Sequence, residues 1–185
     1  QICASNTKSQ LTSNYSTRII NHMKWIRELG RLLLIITLQV LLFDHLHISM
    51  WGFPMVYILF LLNLSPRIPR WAEMFIGFGV GLIMDIWHSS LGIHMAACVV
   101  LAFLRPILLV NMVQDIERVK DNVCSLTIGT IEYLKCVALL TSIHHFIVFS
   151  LEAWSLRNWW IIIAQTLISS TLTLLIILGY DRIKR

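Results

Sequence analysis

Long apolar stretches with few charges restrict this chain to one kind of solvent. Six can be marked, at roughly 29–47, 51–64, 71–87, 91–111, 134–151 and 159–180. A helix that crosses the hydrocarbon core of a bilayer needs about 20 residues, within a range of about 17–25. Segments three to six meet or nearly meet that length. The second is short, and the apolar core of the first is compact, from Leu32 to Phe43. Of the 185 residues, 57% are hydrophobic and only 14% are charged, whereas soluble domains carry about 25% charged residues. The expectation is an all-α integral membrane protein, a six-transmembrane-helix bundle forming one domain over 23–185. A four-span arrangement, with segments one and two as a re-entrant hairpin, is the structural competitor.

The basic residues set the orientation. With the N-terminus in the cytoplasm and six crossings, the inside holds Lys8, Arg18, Lys24, Arg27 and Arg31, then Arg67 and Arg70. It also holds Arg105, Arg118, Lys120 and Lys135 around the fourth segment, and Arg182, Lys184 and Arg185 at the tail. Only Arg157 is left outside. This asymmetry predicts an N-in/C-in topology. A net charge of +5 would suit nucleic-acid binding, but charges that flank apolar runs are the pattern of membrane topology, and no nucleic-acid partner is expected. Residues 1–22 are polar and lack the apolar core of a signal peptide. Met23 followed by a short basic segment resembles a natural start. Residues 1–22 are therefore expected to be disordered or a non-native extension, and peptide mapping of the native protein that recovered them would contradict the latter.

Turn residues divide the segments. The two prolines of SPRIPR, at 65–70, stop the second and separate it from the third. HSS at 88–90 predicts a tight external turn, with Ser89 and Ser90 as N-cap candidates for the next helix. The only sizeable loop is expected at about 112–131. VQDIERVKDNV within it has apolar residues at helical spacing and charges of both signs, as in an amphipathic segment lying on the cytoplasmic side.

The richest local pattern is Glu73, Gly77, Gly81 and Asp85, each four residues from the next. On a helix they form one slowly drifting stripe. The glycines remove side-chain bulk, so another backbone can approach closely. Asp85 near a helix end is better suited to capping or structure than to chemistry. Arg105, in the inner half of the fourth helix, should lie at the opposite membrane face from Asp85; Glu73 is its better partner, and snorkelling to lipid phosphates is the competing role. Pro106 removes one backbone hydrogen bond, freeing the carbonyl of Ala102. These six residues are the interface or packing candidates.

The remaining chemistry-bearing residues show no catalytic or cofactor pattern. Four cysteines (Cys3, Cys98, Cys124 and Cys136) form no CxxC pair. The histidines have no HExxH or other metal-ligand spacing; His144 and His145 are expected to make interhelical hydrogen bonds. All seven tryptophans fall at or near predicted helix ends, as in an interfacial aromatic belt. No catalytic residue, cofactor or metal is expected.

LQVLLFDHLHI, Pro54, PRIPRW, GFGVGLIMDIWHSSLGIHMAA, AFLRP and FSLEAWSLRNW follow one another in an order and spacing that resembles the rod shape-determining MreD family, in the form found in Bacteroidota. The resemblance covers about 32–182, and residues 1–22 have no counterpart in it. It implies a non-enzymatic inner-membrane component of the cell-elongation machinery. Such proteins associate with MreC, and through it with MreB, RodA and a class B penicillin-binding protein, supporting lateral peptidoglycan synthesis and rod shape. Gly77, Gly81 and Asp85 match the family's glycine–aspartate pattern as structural or interface positions. A six-helix small-solute-binding subunit of a vitamin-type transporter fits size and helix number equally well. An intramembrane enzyme using Asp85 with His88 or His94 ranks last, since no nucleophile–base arrangement supports it.

Overall fold

The computed structural model describes residues 26–43, 52–113, 128–154 and 159–184. The expected extension at 1–22, the core of the amphipathic loop, His45 and His47, Trp25 and Trp51, and Cys3 and Cys124 lie outside the described residues. The described protein is all-helical. Helix α1 covers 26–43 and ends in a π-helical turn, Gln39–Phe43. The others are α2 (Ile58–Leu62), α3 (Arg70–His88), α4 (Ile93–Met112), α5 (Thr130–Glu152) and α6 (Trp159–Lys184). Helices α4, α5 and α6 are long and apolar enough to cross a membrane. Helix α3 has 19 residues, a length of about 28 Å at 1.5 Å per residue. Its charged residues, Arg70, Glu73 and Asp85, are those with assigned structural work or a place at its end.

The second apolar segment departs from the expectation of a spanning helix. Residues 52–57 form an irregular strap, and α2 has only five residues, about 7.5 Å of helix. The cause is visible in GFP at 52–54. Pro54 has no N–H to donate to a helical ladder, and Gly52 sits so close to α6 that a Cβ would lie 2.7 Å from Ile168 Cγ2. Irregular backbone at membrane depth is tolerated only inside protein. Accordingly all of α2 is buried, and Tyr57, Ile58 and Leu61 have no exposed surface. Helix α5 also begins earlier than its apolar run suggests, at Thr130, which shortens the expected 112–131 loop at both ends, because α4 continues to Met112.

Helices α3 and α4 form an antiparallel hairpin, and the glycine stripe is its seam. A Cβ on Gly77 would lie 2.8 Å from the Cys98 carbonyl oxygen and 3.1 Å from Ala102 Cβ. On Gly81 it would lie 2.7 Å from the His94 carbonyl oxygen and collide with the Met95 backbone. These obstacles are mostly backbone, which cannot swing aside as a side chain would. The face expected to serve as an interface is therefore filled by α4. The turn is as tight as HSS suggests, with Ser89 in the left-handed region at φ 53° and Gly92 at φ 85°. Helix α4 runs unbroken through Pro106.

Polarity is arranged inside out. Phe75, Ile86, Phe103, Phe146 and Leu175 face outward, while Glu73, Asp85, Arg105, His144 and His145 are buried. A large exposed apolar surface around a polar interior suits a hydrocarbon environment. The Trp159 and Trp160 rings stack at the start of α6 with centroids 3.7 Å apart.

Gly79 lies midway between the two seam glycines, two residues from each, and a Cβ there would meet nothing within 4 Å. Gly81→Ala is expected to destabilise the protein by about 1–3 kcal/mol, the usual cost of overpacking, with Gly79→Ala nearly neutral. Thermal unfolding of the two purified variants in the same detergent checks this, and equal midpoints would contradict the seam.

Candidate functional site

Three polar stations occupy the interior, and the first is built on Arg105. Its Nε donates to the Leu62 carbonyl (3.2 Å), Nη1 to Glu73 Oε1 (2.6 Å) and Nη2 to the Leu64 carbonyl. Arg105 and Glu73 are each only 1% exposed. The last carbonyls of a helix have no partner within it and carry partial negative charge. Arg105 supplies donors to the C-terminal end of α2, and Glu73 balances its charge. The Glu73–Arg105 pairing favoured by helix direction is present, and snorkelling to lipid is excluded by burial. Beside it, Tyr133 donates to Asn63 Oδ1 at 3.4 Å.

Asp85 forms the second station at the other end of the hairpin. Its Oδ1 accepts from the His94 N–H (3.0 Å) and the Ser90 hydroxyl (2.5 Å), and its Oδ2 accepts from the Met95 N–H (2.8 Å). With Gly92 at the N-cap position, these are the second and third helical N–H groups of α4, the ones a capping side chain normally serves. The cap thus comes from the preceding helix. Neither serine takes the expected N-cap role: Ser89 ends α3, and Ser90 hydrogen-bonds to Asp85.

The third station holds the strap. The Phe53 N–H donates to Ser169 Oγ (3.1 Å) and the Met55 N–H to Thr173 Oγ1 (3.1 Å), both on α6. Gln39, in the π-helical turn of α1, accepts from the Val56 N–H (2.6 Å) and donates from Nε2 to the Pro54 carbonyl (3.2 Å). Because Pro54 has no N–H, every backbone donor from 53 to 56 is satisfied, each by a side chain. One histidine tautomer follows from the same network. His145 Nδ1 lies 2.8 Å from the Thr141 carbonyl, which can only accept, so this nitrogen carries the hydrogen. Nε2 lies 3.3 Å from Thr173 Oγ1.

Tyr57 ends the strap and reaches the centre of the bundle. Its hydroxyl lies 2.9 Å from His94 Nδ1 and 3.2 Å from His144 Nε2. The Cys98 thiol, fully buried, is 3.7 Å from the same His144 nitrogen. The exposed ring of His88 lies against His94, with centroids 5.1 Å apart. His144 and His145 make the interhelical contacts expected of them, to the strap and to α6. Among the described residues, no group of three or more His, Cys, Asp or Glu is disposed to hold a metal ion.

Of the six sequence candidates, Glu73, Gly77, Gly81, Asp85 and Arg105 all lie on the α3–α4 hairpin and bind its two helices together, with Pro106 next to Arg105 in α4. Sequence reasoning missed Gln39, Tyr57, Ser169 and Thr173. Their only signal is that each interrupts an apolar run with a hydrogen-bonding group, which is costly in a membrane unless partnered. Compared with known protein families, curated proteins and solved structures, the chain matches none.

Removing Arg105 leaves a buried carboxylate and two helix-end carbonyls without donors. Arg105→Met is expected to cost about 3–5 kcal/mol, the range for breaking a buried ion pair from one side. Glu73→Gln should cost less, because its amide oxygen still accepts from Arg105. Denaturant titration of both variants tests the order, and an Arg105→Met protein as stable as the parent would overturn it.

Proposed function

We propose that this protein is a non-enzymatic, multi-pass component of the bacterial inner membrane that acts as an MreD-like scaffold of the cell-elongation machinery. In this reading it crosses the membrane six times, with both termini in the cytoplasm. Segment two crosses as the strap and α2 together, enclosed by the other helices. It binds MreC directly and serves MreB, RodA and a class B penicillin-binding protein indirectly, supporting lateral peptidoglycan synthesis.

The observation that carries the reading is where the polar side chains go. Arg105, Glu73, Asp85, Gln39, Ser169 and Thr173 are engaged with the protein's own backbone or with one another. A bundle whose interior polarity maintains its own shape is suited to presenting a surface. The order of sequence motifs supplies the identity of the surface's partner. Since the Gly77–Gly81 face is covered by α4, MreC binding is assigned to the outward faces and loops rather than to the glycine seam.

One observation favours a second reading, the small-solute-binding subunit of a vitamin-type transporter. An interrupted segment at the bundle centre, beside Tyr57 and the histidines, is how membrane carriers commonly build a midplane site. Affinity capture of the tagged protein from native membranes separates the two. Recovery of MreC is expected; recovery of a transporter energising module without MreC would replace the scaffold with the transporter subunit.

A further inference from the structure

We propose that the 65–70 turn and the outward face of α3 bind an anionic phospholipid, with Arg67 and Arg70 on its headgroup phosphate and Trp71 and Phe75 against its acyl chains. The site does not depend on which protein partner the chain binds.

Charge is unevenly spread over the bundle. The Tyr133–Asn63 hydrogen bond and the reach of Arg105 to Leu62, Leu64 and Glu73 bring the starts of α3 and α5 and the end of α4 to one end. The end of α6 lies there too, because Phe53 and Met55 meet Ser169 and Thr173 in that order as the strap runs toward α2. Arg67, Arg70, Lys135 and Arg182 are exposed at this end. Its carboxylates are not: Glu73 is held by Arg105, Glu132 is half-buried and Asp181 is buried. Glu152, at the far end of α5, is the one exposed carboxylate among the described residues. A leaflet surface rich in anionic lipid attracts such an end.

Arg67 and Arg70 are the pair best prepared for a phosphate. Pro66 and Pro69 fix two backbone angles of the turn. The Ile68 N–H donates to the Ser65 carbonyl (3.2 Å), and the Arg67 N–H to Ser65 Oγ (3.4 Å). The backbone that carries the two arginines is thus ordered before a ligand arrives, which lowers the cost of binding. Neither guanidinium is ion-paired with a carboxylate of the described residues, since Glu73, one turn into α3, is taken by Arg105. Guanidinium N–H groups match the oxygens of a phosphate.

The apolar half of the site continues from the same turn. Trp71 and Phe75 are 66% and 71% exposed, and their rings meet edge to face with centroids 6.3 Å apart. Phe78 and Leu82, also exposed, extend the stripe at the three- and four-residue spacing that keeps side chains on one helix face. A tryptophan at the start of such a stripe marks the level where headgroups meet hydrocarbon. A lipid phosphate at Arg67 and Arg70 therefore leaves its acyl chains beside Trp71 and Phe75. Soluble phosphate would use only the first half of the site, and a zwitterionic lipid brings its own cation toward the arginines.

Native mass spectrometry of the full-length protein, released from nanodiscs of mixed phosphatidylglycerol and phosphatidylcholine, tests the site. The parent should retain phosphatidylglycerol in preference. Arg67→Gln with Arg70→Gln should lower that preference by about tenfold or more, the least that one lost charge-assisted hydrogen bond is worth. Lys135→Gln with Arg182→Gln should change it little. Equal retention of the two lipids by the parent overturns the proposal, and so does an equal loss in both paired variants, which would mean diffuse attraction to the whole end. Displacement of the lipid by inorganic phosphate at matched ionic strength overturns the acyl-chain half. If the arginine variant does not insert, phosphatidylglycerol with a photoreactive acyl chain decides on the parent. Labelling concentrated on residues 71–82 supports the site, whereas labelling spread evenly over the lipid-facing helices overturns it.

Discussion

A peptide group buried in hydrocarbon must find its hydrogen-bond partner within the protein. Ordinary helices meet this requirement internally; the stretch from 52 to 64 cannot, because its strap makes no ladder and α2 is too short to use up its own terminal carbonyls. Its groups are answered by Gln39, Ser169, Thr173 and Arg105, which come from α1, α6 and α4. These side chains fix how three helices stand around the centre. The broken segment thereby organises the bundle.

The α3–α4 hairpin is the frame on which this depends. Two glycines bring the helix axes together, and a polar clamp closes each end: Asp85 on the first turn of α4 at one side, Glu73 on Arg105 at the other. The clamps differ in kind. Asp85 binds its neighbour's backbone, so its geometry is local to the turn. Glu73 binds a side chain that continues on to α2, so the same carboxylate that closes the hairpin also steadies the guanidinium under the broken segment.

Much of the hairpin was legible in the sequence, because helical periodicity and chain direction are enough to place its residues. Four-residue spacing puts Glu73, Gly77, Gly81 and Asp85 on one stripe, and antiparallel travel brings position 105 back to the level of 73. The strap was not legible, since a run of apolar residues reads alike for a helix and for buried extended chain. Gly52 and Pro54 marked the break without saying what would hold it. The residues that do so are single polar positions on distant segments, and nothing local in the chain couples them. The serines of the turn misled for a related reason: Ser90 is a good capping residue, but the folded hairpin brings Asp85 to the same N–H groups first.

The hydrogen bonds of the strap also have a consequence for the order in which the protein is assembled. The Leu62 carbonyl waits 43 residues for Arg105, and the amides of Phe53 and Met55 wait 116 and 118 residues for Ser169 and Thr173. A chain delivered to the membrane from its N-terminus presents this segment long before its partners exist, and contacts so distant in sequence form late. Until α6 arrives, 52–57 has no dry place to settle. Helix α6, made after the other described helices, is thus the one that admits the second segment to the bundle, and a chain truncated before it would leave the Phe53 and Met55 amides without their acceptors.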